Sequence, residues 1–407
     1  MGAIPVSRAS PVVVPALLAI FANTKVNRLM INYSLEYQLI GTGSSYGAIP
    51  ENEHASHAVQ TAIAKIDPDK TIGGVLLFLT SAYAHAPQEA IKMAAKAAGT
   101  PQVFGCCALN LLTEDEWLLD VEGAVAMVFT TDLSPQPLRI LEQTNESPSC
   151  VLTLTSPNAS AIAINSTKHD QIGAISSDQF GHGPYSIWQS GRIEEHEYSL
   201  SGFPKHLTSH TIFADDVKQL SPSMLVNLTE SHEIQQVNQE LAFETLPEEF
   251  KELAENQPYQ LLCAVSQTND PQCLEQGYYK LHHVVSANRN TGVIQLSGKP
   301  KAGRYLFWAI RDSAQAEQTI RKQLDKLKDS INQASGAQAV FALMFPNIGR
   351  GPEFFNGIDI DLKCFNEAFP DLPMIGFYGN GEIGPGVSNT SLIKRYSTIL
   401  TVFTHTR

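Results

Sequence analysis

At 407 residues, with 43% hydrophobic and 17% charged side chains, the chain can fill two or three cores and is too apolar to be disordered. Its net charge of −13 repels phosphate backbones and argues against broad nucleic-acid binding. Six cysteines without a Cys-x-x-Cys pair point to a reducing, cytoplasmic setting without disulfides, and no apolar run approaches the ~20 residues that a membrane span needs.

Residues 1–29 read as an N-terminal extension. Its apolar stretch Pro11–Phe21 is interrupted by proline and lacks a small-residue cleavage site at Ala22, so a terminal strand or an over-extended start fits better than a signal peptide. Met30 looks like a natural start. A first region follows at 30–220. Ala55, Ala58, Val59, Ala62, Ile63 and Ile66 share one face at spacings of three and four, which predicts a helix over 53–66. The apolar run Val75–Thr80 predicts a strand covered on both faces. Pro87 opens another helix that Gly99 closes. Strands are predicted at 102–105, 123–130, 151–154 and 161–164, and Asp178–Gly191 reads as a glycine-rich loop.

The polar stretch 221–240 is read as a boundary segment, and a second region runs over 241–407. Pro247–Glu255 reads as a short helix and Pro258–Ser266 as a strand. Val293–Gly298 and Tyr305–Ile310 flank the turn Gly-Lys-Pro-Lys-Ala-Gly and read as a hairpin. Asp312 and Gln315 form a capping box before Ala316, Ile320, Leu324, Leu327, Ile331 and Ala334, which predicts a long amphipathic helix that Gly336 ends. The strand Ala339–Phe345, the helix Asp359–Phe369 and the strand Met374–Tyr378 complete the pattern. The fold class is therefore mixed α/β, in two domains, each with a largely buried sheet covered by helices. A short echo is visible three times: an apolar strand runs into Gly105, Gly173 and Gly376.

Two glycine-rich loops follow strands of the second region, Gly349-Arg350-Gly351 and Gly379-Asn380-Gly381-Glu382. Ligands of open α/β sheets sit beyond such strand ends. Arg350 could clamp a carboxylate and Glu382 accept from an amine, with Phe377 or Tyr378 as an apolar wall, a set suited to a zwitterion. The competing reading pairs Arg350 with Glu382 as a tie between loops. Cys106 and Cys107 follow a strand, but no histidine is near in sequence to activate them. Asp178 suits a polar pocket group or, more simply, a local turn. The pairs His54/His57 and His206/His210 lack the partners of a zinc site. No Walker loop, Rossmann fingerprint or hydrolase motif occurs.

Residues Ala302–Asp312, Pro346–Phe355 (PNIGRGPEFF) and Pro373–Gly386 (PMIGFYGNGEIGPG) together resemble the FIST C domain. The first region resembles FIST N through VLLFLTS, VFGCCA and GAVAMVF. It departs from that pattern at Gly105-Cys106-Cys107 and at Ser176-Ser177-Asp178. The resemblance implies a sensory protein that binds a small ligand, with amino acids proposed, and that signals through a separate output protein. One branch of the family binds haem, so a haem-based gas sensor is the alternative, and an enzyme using Cys106 or Cys107 comes third. The loops and the resemblance together give the expected ligand-binding set Gly349, Arg350, Gly351, Phe377, Tyr378, Gly381, Glu382, Cys106 and Asp178, with no catalytic residue and no metal expected.

Overall fold

The computed structural model describes residues 39–334, 336–387 and 390–406. The extension 1–29 and the start at Met30 lie outside the described residues. The helices and strands arise where the periodicities place them, with a few exceptions given below.

The first unit begins with β1 (Ile40–Gly47), α1 (Glu53–Ile63), β2 (Ile72–Thr80), α2 (Gln88–Ala98) and β3 (Val103–Ala108). A short hairpin, β4 (Leu111–Thr113) and β5 (Trp117–Leu118), precedes β6 (Glu122–Thr130). Val75 to Leu79 are fully buried, as a run covered on both faces requires. Gly99 ends α2 in the left-handed conformation at φ +69. The sheet order is β1-β6-β2-β3, with β2 and β3 parallel.

The second unit repeats this order. It contains β7 (Gln136–Pro137), α3 (Leu138–Gln143), β8 (Val151–Thr155), α4 (Ser160–Ala163) and β9 (Gln171–Ile175). Then come the hairpin β10 (Ile187–Gln189) and β11 (Arg192–Ile193), and β12 (Tyr198–Gly202). Its sheet runs β7-β12-β8-β9, with β8 and β9 again parallel. The segment 161–164, expected as a strand, is instead α4 and the turn after it. A parallel pair needs a crossover, and Ser156 starts one by accepting the Ala159 amide on its Oγ.

The third unit opens with β13 (Leu207–Asp215) and is then interrupted. The insertion holds β14 (Val217–Gln219), β15 (Met224–Glu230), β16 (Glu233–Val237), β17 (Glu240–Leu241) and α5 (Glu248–Asn256). It continues through β18 (Leu261–Ser266), α6 (Gln272–Glu275), β19 (Tyr279–Asn288), β20 (Val293–Leu296) and β21 (Tyr305–Arg311). These strands build one antiparallel sheet around Trp308, Val284 and Ile294. The polar stretch 221–240 therefore carries strands, with Met224, Val226, Ile234 and Val237 buried in the core. The expected hairpin over 293–310 does not form. β20 pairs with β16 and β19, whereas β21 pairs with β14, β15 and β18, so the Gly-Lys-Pro-Lys-Ala-Gly turn links strands that are not neighbours.

The unit then resumes with α7 (Ser313–Gln333), β22 (Ala337–Pro346), α8 (Ile360–Ala368) and β23 (Met374–Phe377). The hairpin β24 (Glu382–Pro385) and β25 (Ser391–Lys394) precedes β26 (Ser397–Thr406). Asp312 caps α7 by accepting the Gln315 amide at 2.8 Å, but the Gln315 side chain turns to Thr319, so only half of the capping box forms. The sheet is β13-β26-β22-β23, with β22 and β23 parallel.

The hairpins are exchanged in a ring. β4 of the first unit extends the third unit's sheet beside β23. β24 of the third unit extends the second unit's sheet beside β9. β10 of the second unit extends the first unit's sheet beside β3. Gly105, Gly173 and Gly376 occupy the same place in the three parallel pairs, opposite Leu77, Thr153 and Met344. The sequence echo is thus a repeated structural position. Residues 30–220 and 241–407 share two sheets through these hairpins, and the described residues belong to one compact unit. A common aromatic core joins them: Phe341 stacks on Phe403 at 4.3 Å, Phe203 packs on both, and Phe129 meets Phe341 edge-on. Such pairs contribute about 0.5–1.5 kcal/mol each beyond burial. All six cysteines are free and buried.

Candidate functional site

The loop after β22 is shaped by Asn347, whose Oδ1 accepts the Gly349 amide at 3.1 Å while its carbonyl accepts the Arg350 amide. Two backbone donors near the glycines are therefore already used. Arg350 then turns inward and is fully buried. Its Nε and Nη2 donate to the two carboxylate oxygens of Asp361 at 2.8 and 2.7 Å, and Nε also donates to Thr398 Oγ1 at 3.0 Å. Burial disfavours its charge, but Asp361 outweighs that cost and the pKa of Arg350 goes up. Asp359 caps α8 through the Leu362 amide at 2.9 Å and accepts the hydroxyl of buried Tyr378. Burial, then the neighbouring Asp361, pushes Asp359 up to about 6.

Glu382 begins β24 and is also fully buried. It accepts Asn347 Nδ2 at 2.9 Å and Ser397 Oγ at 2.7 Å. Burial raises it to about 8 against those hydrogen bonds. In the other two sheets the matching positions beside the strand are Ile187 and Leu111, both apolar and buried. Glu382 is thus a carboxyl at a repeat position otherwise filled by hydrocarbon. Arg311 completes the polar set. Its Nη2 donates to the Gly349 carbonyl and to Asp216 Oδ2, both at 2.6 Å, and its guanidinium lies against the rings of Phe354 and Tyr396. Asp216 Oδ1 and Arg350 Nη1 are buried without a hydrogen-bond partner. Burial raises Asp216 to about 6, opposed by Arg311 and Arg350.

The sign of the resulting pH dependence is definite. A carboxyl raised in the folded state contributes stability that is full below its ordinary value and is lost as pH rises through its folded value. For Glu382 that window runs from 4.5 to about 8, and for Asp216 and Asp359 from 3.8 to about 6. Urea unfolding should therefore show the protein losing stability between pH 6 and pH 8. Glu382→Gln should flatten that loss, and an unchanged slope would remove Glu382 as its source.

Arg350 and Glu382 lie in one buried polar cluster, joined through Asn347 and the adjacent Ser397 and Thr398 of β26. Each is held by other residues, so neither the ligand-clamp geometry nor a direct Arg350–Glu382 tie is what the structure contains. Tyr378 belongs to this cluster, while Phe377 packs against Phe78 and Phe345 in the aromatic core. Gly381 adopts φ +159 where a Cβ would fall 2.9 Å from Ile175. Cys106 and Cys107 lie inside β3 rather than after it, and burial pushes both thiols well up, away from thiolate chemistry. Asp178 accepts the amides of Gly181, His182 and Gly183 and the Tyr185 hydroxyl, which is the local-turn role.

Gly349 and Gly351 do line an open cavity of about 510 Å³. It lies beyond the ends of β2, β3, β9 and β22. The Gly351–Phe354 loop forms one wall, Asn110, Asp120 and Gln179 come from loops of the first two units, and Glu122 comes from the start of β6. Glu353 adds a third carboxylate, and no histidine lines the cavity. The first-region residues were missed because their loops carry no motif.

The family model of the FIST C domain matches residues 239–385. Uncharacterized proteins of Mycobacterium bovis and Mycobacterium tuberculosis are each 27% identical over 117 residues, which is 29% of this chain and 29% of theirs. A further uncharacterized protein of Mycobacterium tuberculosis is 26% identical over 117 residues, 29% of this chain and 30% of its own length. The match thus spans less than a third of these curated relatives. No helix among the described residues is long and apolar enough to cross a membrane. The strand, Gly-Arg-Gly turn, helix, strand and Gly-Glu-Ile-Gly-Pro hairpin of the third unit lie largely within that match. Residues 239–385 therefore match the FIST C domain, a member of a sensory, ligand-binding domain family.

Proposed function

We propose that the protein senses a small amine-bearing ligand, with amino acids the first class to test, in the cavity beside Gly349 and Gly351. The observation that carries this reading is the lining itself. Three carboxylates, Asp120, Glu122 and Glu353, and the amides of Asn110 and Gln179 converge on a space of about 510 Å³, within the range of small-molecule sites. Carboxylates accept from an ammonium group, and Phe354 supplies an apolar wall. With Arg350 occupied by Asp361, the amine rather than the carboxylate is the end that this lining selects. Residues 30–220, in the role of a FIST N region, would contribute Asn110, Asp120, Glu122 and Gln179, so the site needs both regions. The readout would pass to a separate output protein, and no catalytic step is proposed.

A thermal-shift screen with amino acids, simple amines and matched carboxylic acids tests the reading. A specific ligand at a hundred times its dissociation constant should stabilise the fold by about 2.7 kcal/mol. Asp120→Asn with Glu353→Gln should abolish that shift and leave the unliganded midpoint nearly unchanged. A ligand whose shift survives both substitutions would bind elsewhere. A visible absorption band near the haem Soret region in the purified protein would replace this reading with the haem-sensing one.

A further inference from the structure

The Gly298–Gly303 turn takes no part in the cavity described above. It borders a second cavity of about 350 Å³, at the edge of the insertion where β18 and β19 meet the hairpin β24–β25. Four of its eleven lining residues are cationic, namely Lys280, Lys299, Lys301 and Arg304, and none is acidic. Among the described residues, no carboxylate forms an ion pair with any of these four. In a chain of net charge −13 this is a local reversal of sign. Like charges gathered in one concavity repel each other, and an anion placed between them relieves that repulsion.

The cavity is also partly pre-shaped. Arg304 Nη1 donates to the Gln267 carbonyl oxygen, which fixes its guanidinium at the cavity wall. Gln267 is itself tied to Thr390 and Val387 of the neighbouring hairpin. The His282 ring sits against Gly298, where a Cβ would fall 2.1 Å from Nδ1, so glycine is what admits the ring. Burial, then Lys280, Arg395 and His232, lowers His282 to about 4. At neutral pH it is an uncharged hydrogen-bonding group among cations.

We propose that this cavity binds a small phosphorylated anion, held by Lys280, Lys299, Lys301 and Arg304. A phosphate carries close to two negative charges and three acceptor oxygens, which answers a four-cation lining better than a single carboxylate does. The small volume and the acidity of the rest of the chain disfavour a nucleic-acid polymer.

Calorimetric titration of the full chain with inorganic pyrophosphate, and with a nucleoside diphosphate, tests the proposal at fixed ionic strength. Saturable binding is expected. Lys299→Glu with Lys301→Glu should weaken it at least about tenfold, with an unchanged unfolding midpoint. Lys92→Glu with Lys96→Glu makes the same charge change away from the cavity and should leave affinity intact. Phosphatidylcholine vesicles doped with a phosphoinositide form the second arm. Co-sedimentation that pyrophosphate reverses would assign the phosphate to a lipid headgroup, and binding in solution alone would assign it to a soluble metabolite. The proposal is overturned by no binding at millimolar pyrophosphate, or by equal losses in the two double variants. Binding of a polyglutamate peptide without binding of pyrophosphate would overturn it as well.

Discussion

Arg350→Ala is expected to destabilise the protein by about 3–5 kcal/mol, the cost of stranding a buried carboxylate after its partner is removed. Arg350 is fully buried and grips both oxygens of Asp361, which is itself buried at the start of α8. Asp361 is fully buried and would keep the Thr398 hydroxyl as a donor but no countercharge in contact. Arg350→Lys keeps the charge and loses the fork, so about 1.5–3 kcal/mol should be lost. Replacing both partners, as Arg350→Met with Asp361→Leu, should cost less than Arg350→Ala, because no charge is then left unpaired. Urea unfolding of the four proteins at pH 7 measures this. If Arg350→Ala unfolds at the wild-type midpoint but changes ligand affinity, the arginine belongs to a binding surface after all.

Gly105→Ala should be nearly as severe, at about 3 kcal/mol, because overpacking and backbone strain add. The new Cβ would lie 1.7 Å from the Leu77 carbonyl oxygen of the adjacent parallel strand, and φ is +154. Backbone, not a flexible side chain, is what must move. Gly99→Ala provides the contrast: φ is +69 but nothing lies within 4 Å, so the loss should stay near 1 kcal/mol. Equal midpoints for the two variants in the same unfolding series would show that the close approach across β2 and β3 is not needed.

Much of the fold was legible because local signals and burial agree. Val75–Leu79, the stripe Ala316 to Ile331 and the cap Asp312 do in the structure what their pattern requires, although Gln315 does not close the capping box. The exceptions share a cause, namely pairing with a partner far along the chain. Ala161 to Ile164 looks β-prone, but the parallel pairing of β8 with β9 demands a crossover there. The turn at Gly298 looks like a hairpin turn, but β15 and β16 claim the intervening positions. At the site, sequence brought Arg350, Glu382 and the glycines into one neighbourhood. It could not show that Asp361, Asn347 and Ser397 already occupy the two charges, since nothing in residue type distinguishes a buried arginine from one facing a ligand. Asn110, Asp120 and Gln179 were invisible for the opposite reason: their importance comes from a hairpin exchange that no local pattern announces.

That exchange also governs what happens at the edges of the sheets. An exposed strand edge is a template for aggregation, and here each parallel pair has its open side closed by a hairpin from a different unit. Cutting out one unit therefore bares a neighbour's edge and leaves the cut piece with a hairpin that has lost its host. A fragment of residues 239–385 would hold β22 and β23 without β26 or β4, and β24 without β25 or β9. The stretch that matches the FIST C domain is thus shorter than the set of strands that closes its sheets.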